Sequence, residues 1–148
     1  MKTKIPPPII ALTCIVINYL STYLINPIKF PKIEIIGILI LLVGLITAML
    51  AIFLFKKDKT TVNPINPEEA TTLVTTGIFS ITRNPMYLGL FFVICSTVLF
   101  FGSWFGIIIL IFFVWYINKF QIIPEEEAME KLFGNKYNQN RQNVRRWI

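Results

Sequence analysis

The chain has 148 residues, of which 55% are hydrophobic and 15% charged, where an ordinary soluble domain carries about 25% charged residues. Its mean hydropathy is +0.66, and its polar residues come in patches between apolar runs long enough to cross a bilayer, which excludes both a soluble globular domain and a disordered chain. The formal net charge of +6 reads as basic loops beside membrane spans facing anionic lipid. No basic helix stands apart from the apolar runs, so a nucleic-acid partner is not expected.

The first apolar run is Pro8 to Ile25, closed by Asn26-Pro27 and interrupted by Asn18, Ser21 and Thr22. It is too long for the apolar part of a signal peptide and no small-residue cleavage site follows, so it reads as a retained span. Ile33 to Phe55 is the clearest run; its 23 residues rise roughly 35 Å as a helix. Lys56, Lys57 and Lys59 stop it. Residues 56–84 form a polar, turn-rich loop with Asn63-Pro64, Asn66-Pro67 and Thr75-Thr76-Gly77. Met86 to Phe101 forms a third span, Gly102-Ser103 a tight turn, and Trp104 to Ile123 a fourth span, with Trp104 and Trp115-Tyr116 as interface anchors. Past Pro124 the chain reads as a separate polar helix and a basic tail.

The expected fold is therefore an all-α membrane protein, a single integral domain over 1–148. It has four transmembrane helices (8–25, 33–55, 86–101, 104–123), of which the last two form a hairpin, plus a helix within the cytoplasmic segment 124–148. Four spans put twelve of the fourteen Lys and Arg residues on one side and only Lys29 and Lys32 on the other. The positive-inside rule makes the first side cytoplasmic, with both termini on it.

Histidine is absent, and Cys14 and Cys95 stand alone inside apolar runs. His-based triads and His-ligated metals are thereby excluded, and no metal site is expected. Chemistry falls to carboxylates, Tyr, Arg, backbone groups or a cofactor. Two polar clusters flank the last hairpin. In Thr82-Arg83-Asn84-Pro85-Met86-Tyr87-Leu88-Gly89, Pro85 suits the first turn of a helix, Asn84 its N-cap, and the N-terminal dipole an anionic group. Gly89 lets another backbone or a flat ligand approach. In Pro124-Glu125-Glu126-Glu127, acids suit a first helical turn, and Glu126, Met129, Leu132 and Phe133 share one face. Gly134 fits a C-cap; Arg141, Arg145 and Arg146 can reach a lipid phosphate or a carboxylate. The clusters together describe a pocket at the cytoplasmic ends of spans three and four, suited to a zwitterionic nucleotide-like cofactor.

These clusters, with Leu73-Val74-Thr75-Thr76-Gly77-Ile78-Phe79 before them and Phe133-Gly134, Tyr137 and Val144-Arg145-Arg146-Trp147 after, resemble the isoprenylcysteine carboxyl methyltransferases and the related membrane phospholipid N-methyltransferases. The resemblance runs from about Thr60 onward. The family's Arg-His-Pro-x-Tyr-x-Gly pattern has Asn84 at its His position, and the family's second Tyr is Asn140 here; Asn orients by hydrogen bonds but takes no proton at neutral pH. The resemblance implies S-adenosylmethionine as cofactor, bound by Asn84, Tyr87, Leu88, Gly89, Glu125, Glu126 and Tyr137. It implies Arg83 and Glu126 as catalytic residues, and Arg83 and Arg141 as contacts to a lipid-soluble or prenylated acceptor. Glu127 falls outside the motif. The competing readings are a non-catalytic membrane protein or degenerate relative, and a related membrane reductase.

Overall fold

The computed structural model describes residues 5–28, 30–60 and 69–148. Lys2, Lys4, Lys29 and the Asn63-Pro64 and Asn66-Pro67 pairs lie outside that set. Among the described residues the fold is all-α, with five helices. Helix α1 is Pro7–Ser21 and α2 is Ile33–Lys57. Helix α3 is Pro85–Phe101, α4 is Phe105–Phe133, and α5 is Asn135–Asn143. A 3₁₀ turn, Gly77–Ser80, sits in the loop before α3.

The apolar runs form helices because apolar side chains leave the backbone to bond with itself, and the hydroxyls of Thr13, Ser96 and Thr97 merely donate back to carbonyls three or four residues earlier. Their ends carry local causes. Pro7 and Pro85 occupy first-turn positions, where a missing N–H is harmless. Gly102 and Gly134 end α3 and α4 with φ of +60° and +49°, a region open to glycine. Helix α1 stops at Ser21, short of the expected Ile25. There the Ser21 hydroxyl donates to Asn18 O and a run of turns follows.

The largest difference from expectation is at Pro124. The fourth apolar run and the polar helix after it are one continuous helix of 29 residues. An inserted π-turn over Asn118–Ile122 makes this possible. Proline in a helix interior removes one hydrogen bond and crowds the carbonyl four residues earlier. The wider π-turn just before Pro124 relieves that crowding, and α-geometry resumes at Ile123. At about 1.5 Å per residue the helix is ~43 Å long, so its polar end projects beyond a hydrocarbon core of about 30 Å.

Helices α2 and α4 are long and apolar enough to cross a membrane, while α1 and α3 are shorter apolar helices. Helix α2 packs along α3, and α1 packs against α3 and α4. The α2–α3 seam is close because glycine meets glycine. A methyl group built on Gly89 would come within 2.8 Å of Gly44 O, and the reverse holds equally. The other side of α2 leaves Ile35, Leu39, Leu42, Ile46, Met49 and Phe53 exposed, as a lipid-facing helix does. Two apolar clusters make up the interior. One centres on Ile94, Phe113, Ile117 and Ile122, the other on Ala51, Val74 and Phe79 beneath the loop before α3.

Candidate active site

The site lies where α3 begins and the projecting end of α4 passes over it. Pro85 starts α3, and Asn84 O accepts the first helical bond from Leu88 N–H at 3.0 Å. The Asn84 side chain does not cap the helix, contrary to expectation. Its Nδ2 donates instead to Arg146 O at 2.9 Å, and Thr82 Oγ1 accepts the Asn84 N–H at 3.2 Å. The segment Arg145–Trp147 lies along residues 82–84. Arg83 N–H donates to Arg145 O at 3.1 Å, and Thr82 Oγ1 donates to Arg146 O at 3.3 Å. Trp147 Nε1 is fastened to Asn118 Oδ1 at 3.1 Å, on the π-turn of α4.

Two carboxylates of α4 face this junction, and they do different things. Glu126 carries two arginines: its Oε1 accepts from Arg83 Nη2 at 2.9 Å and from Arg146 Nε at 3.1 Å, and its Oε2 accepts from Arg146 Nη2 at 2.6 Å. The Arg83 and Glu126 side chains are only 9% and 11% exposed. Glu125 accepts a short hydrogen bond from the Tyr87 hydroxyl. It lies past the apolar stretch of α4. Burial pushes its carboxyl up to about 7; the Tyr87 hydrogen bond pulls it down, and the neighbouring Glu126 charge pushes it up again. Tyr137, on α5, is pushed up to about 12, first by burial and then by the Glu126 charge.

These groups, Arg146 excepted, line one end of a cavity of about 460 Å³, within the roughly 300–1,000 Å³ typical of small-molecule sites. Arg83, Asn84, Tyr87, Glu125, Glu126, Tyr137 and Asn140 make the polar end. Ala48, Ile52 and Phe55 of α2, with Val74, Phe79 and Met86, make an apolar wall. Within this polar end two donors are left over. Arg83 Nε and Nη1 are buried and have no hydrogen-bond partner. A buried unsatisfied N–H costs about 1–3 kcal/mol, more on a charged group, so a ligand acceptor reaching the guanidinium of Arg83, which borders the cavity, would relieve the pair.

The remaining expected residues stand elsewhere. Leu88 and Gly89 are buried but are not on the cavity wall; Gly89 faces Gly44 and Ala48 of α2. Arg141 is half exposed and sits 4.0 Å from Glu130, away from the cavity. Glu127 is exposed and takes no part. Sequence reasoning named Thr82, Met129 and Arg146 in their clusters, Arg146 as able to reach a carboxylate, but assigned none of them, nor Pro6–Pro8, to the site; all border the cavity or hold its residues. Arg146 and Trp147 stood in the closing motif, which was the available signal.

The profile of the phospholipid methyltransferase family matches residues 33–136, more than two thirds of the chain. The chain belongs to that family. Its members are related to the isoprenylcysteine carboxyl methyltransferases, and membership points to methyltransferase activity at a membrane. An uncharacterized protein of Haemophilus influenzae is 41% identical over 66 residues, which is 43% of this chain and the whole of that relative. No solved structure matches the chain.

Proposed function

We propose that the chain is an integral membrane methyltransferase that uses S-adenosylmethionine to methylate a lipid-soluble acceptor at the cytoplasmic face. The observation that carries this reading is a cavity bordered by Arg83, Tyr87 and Glu125, in which the Arg83 guanidinium keeps two buried, unpartnered donors. The donor set fits the cofactor. Arg83 suits a carboxylate, Glu125 with Tyr87 suits hydroxyls or a cationic group, and Asn84, Asn140 and Tyr137 supply neutral polar contacts. S-adenosylmethionine, when bound, supplies an activated methyl group that an acceptor lone pair displaces from sulfur.

The chain's own residues then have positioning work, which is most of what such a reaction asks of a protein. Arg83 orients an anionic group of cofactor or acceptor. Tyr87 holds Glu125, and Glu125, ionising near neutrality, takes the proton of an amine or thiol acceptor; a carboxylate acceptor needs no base. The apolar wall from Ala48 to Phe55 and Phe79 excludes water and suits a lipid-soluble acceptor, prenylated molecules included. Leu88 and Gly89 support the wall from behind, and Arg141 meets lipid phosphate or the acceptor at the surface. Four spans with both termini cytoplasmic remain the topology we propose. The four apolar helices packed as one bundle and the basic segments beside the site support it.

Transfer of tritiated methyl from S-adenosylmethionine into a membrane lipid extract by the purified protein tests the reading. Label should appear in the organic phase with the wild type and fall at least tenfold with Arg83→Lys, a loss of about 1.4 kcal/mol in transition-state stabilisation. Label appearing in neither case would overturn it.

A further inference from the structure

The geometry points to Arg146 as a positioning residue: by occupying Glu126, it restricts Arg83 to a single bond and so reserves the Arg83 Nε–H and Nη1–H for a ligand anion. The inference rests on the proposed reading of the cavity as a methyl-transfer site. It concerns a residue that does not line the cavity.

A carboxylate and a guanidinium ordinarily meet in a two-bond fork. Arg83 and Glu126 do not. Arg83 reaches Glu126 through Nη2 alone, at 2.9 Å, and leaves two buried donors open. The fork is made by Arg146 instead, with Nε on Oε1 at 3.1 Å and Nη2 on Oε2 at 2.6 Å. Three donors therefore engage both oxygens of Glu126, and Oε2 is held by Arg146. Without Arg146, Oε2 would be open to Arg83, and an Arg83 fork on Glu126 would use up one of its two unpartnered donors. Glu126 is, on this account, an anchor for Arg83, with both carboxylate oxygens already engaged by guanidinium donors.

The arrangement also makes the inference testable. Segment Arg145–Trp147 is attached by bonds that do not involve the Arg146 side chain. These are Arg145 O to Arg83 N–H, Arg146 O to Asn84 Nδ2 and Thr82 Oγ1, and Trp147 Nε1 to Asn118. Arg146→Gln removes the fork and leaves those attachments.

The experiment uses the full chain in detergent and two readouts. The first is the side-chain Nε–H resonance of Arg83 by nitrogen-15 NMR, assigned by its loss in Arg83→Lys. The second is calorimetric affinity for S-adenosylmethionine in a double-mutant cycle. Arg146→Gln should shift the Arg83 resonance and weaken binding at least tenfold. In the Arg83→Lys background the same substitution should change affinity less than twofold, because its effect passes through Arg83. An unchanged Arg83 resonance, or an equal loss of affinity in both backgrounds, would overturn the positioning role. A wild type that binds no S-adenosylmethionine would instead defeat the reading of the cavity, and the resonance alone would then decide the role of Arg146.

Discussion

Two clusters of buried polar side chains stand at opposite ends of the bundle, and only one of them looks like a site. At the end of the bundle formed by the α1 C-terminus and the α3–α4 turn, Asn18 Nδ2 donates to Thr97 Oγ1 at 3.3 Å, and the Ser21 and Ser103 hydroxyls meet at 2.8 Å. At the other end stand Arg83, Glu126 and Arg146, and Tyr87 with Glu125. Both ends hold an orphan: Asn18 Oδ1 in the first, Arg83 Nε and Nη1 in the second. The difference is space and charge. A methyl group on Gly106 would sit 2.9 Å from Asn18 Oδ1 and closer still to Val98, so that orphan is walled in by packing. Arg83, by contrast, borders a cavity of about 460 Å³. An unpaired polar atom argues for a ligand where there is room for one and the charge to bind it; elsewhere it is a tolerated defect among short neutral hydrogen bonds.

This contrast can be broken by substitution, and the largest effect is expected at Glu126. Glu126→Gln strands two guanidinium groups, one of them deeply buried. Removing one partner of a buried ion pair costs about 3–5 kcal/mol, toward the lower figure here because Arg146 is a third exposed. Thermal unfolding in detergent should register that loss. Cofactor affinity should fall by one to two decades as Arg83 loses its anchor, about 1.5–3 kcal/mol. Glu127→Gln, one residue on and exposed, should change neither; equal effects at the two positions would remove the distinction between site and surface.

The pH dependence of Glu125 comes next. With its carboxyl at about 7, S-adenosylmethionine binding should strengthen as pH rises from 6 to 8 and the carboxylate forms. Stability should move the other way. A folded-state value above the unfolded one means a contribution that is complete below about 4.5 and is lost as pH rises through about 7. Glu125→Gln should flatten both profiles. A wild-type binding profile that is flat across neutrality would place Glu125 outside the ligand's reach. The smallest effect is expected at the other end. Asn18→Leu gives up one long hydrogen bond and an orphan, so stability should change by no more than about 1 kcal/mol and binding not at all. A loss of binding there would couple the two ends.

Much of the frame was legible in the sequence, because its signals are local. Lysines end the second apolar run, and α2 stops at Lys57. Pro85 starts α3, and Gly102 and Gly134 close helices. The pairing of the first cluster with Glu125 and Glu126 was also legible, since a short hairpin returns α4 to the start of α3. What could not be read depends on distant partners. Asn84 has the sequence context of an N-cap, yet its amide is claimed by a backbone carbonyl 62 residues away. Arg141, Arg145 and Arg146 have equal local claims on a carboxylate, and only the path of the chain over residues 82–84 selects Arg146. Pro124 is read as a break because the sequence gives no sign of the π-turn that absorbs it.

The central claim is that the Arg83 end of the cavity binds the methyl donor. Isothermal calorimetry of S-adenosylmethionine against the purified protein in detergent tests it most directly, with wild type and Arg83→Lys side by side. The account predicts saturable binding by the wild type, with at least tenfold weaker binding by a variant that inserts and unfolds normally. Equal affinity of the two proteins, or no binding by either, would contradict it.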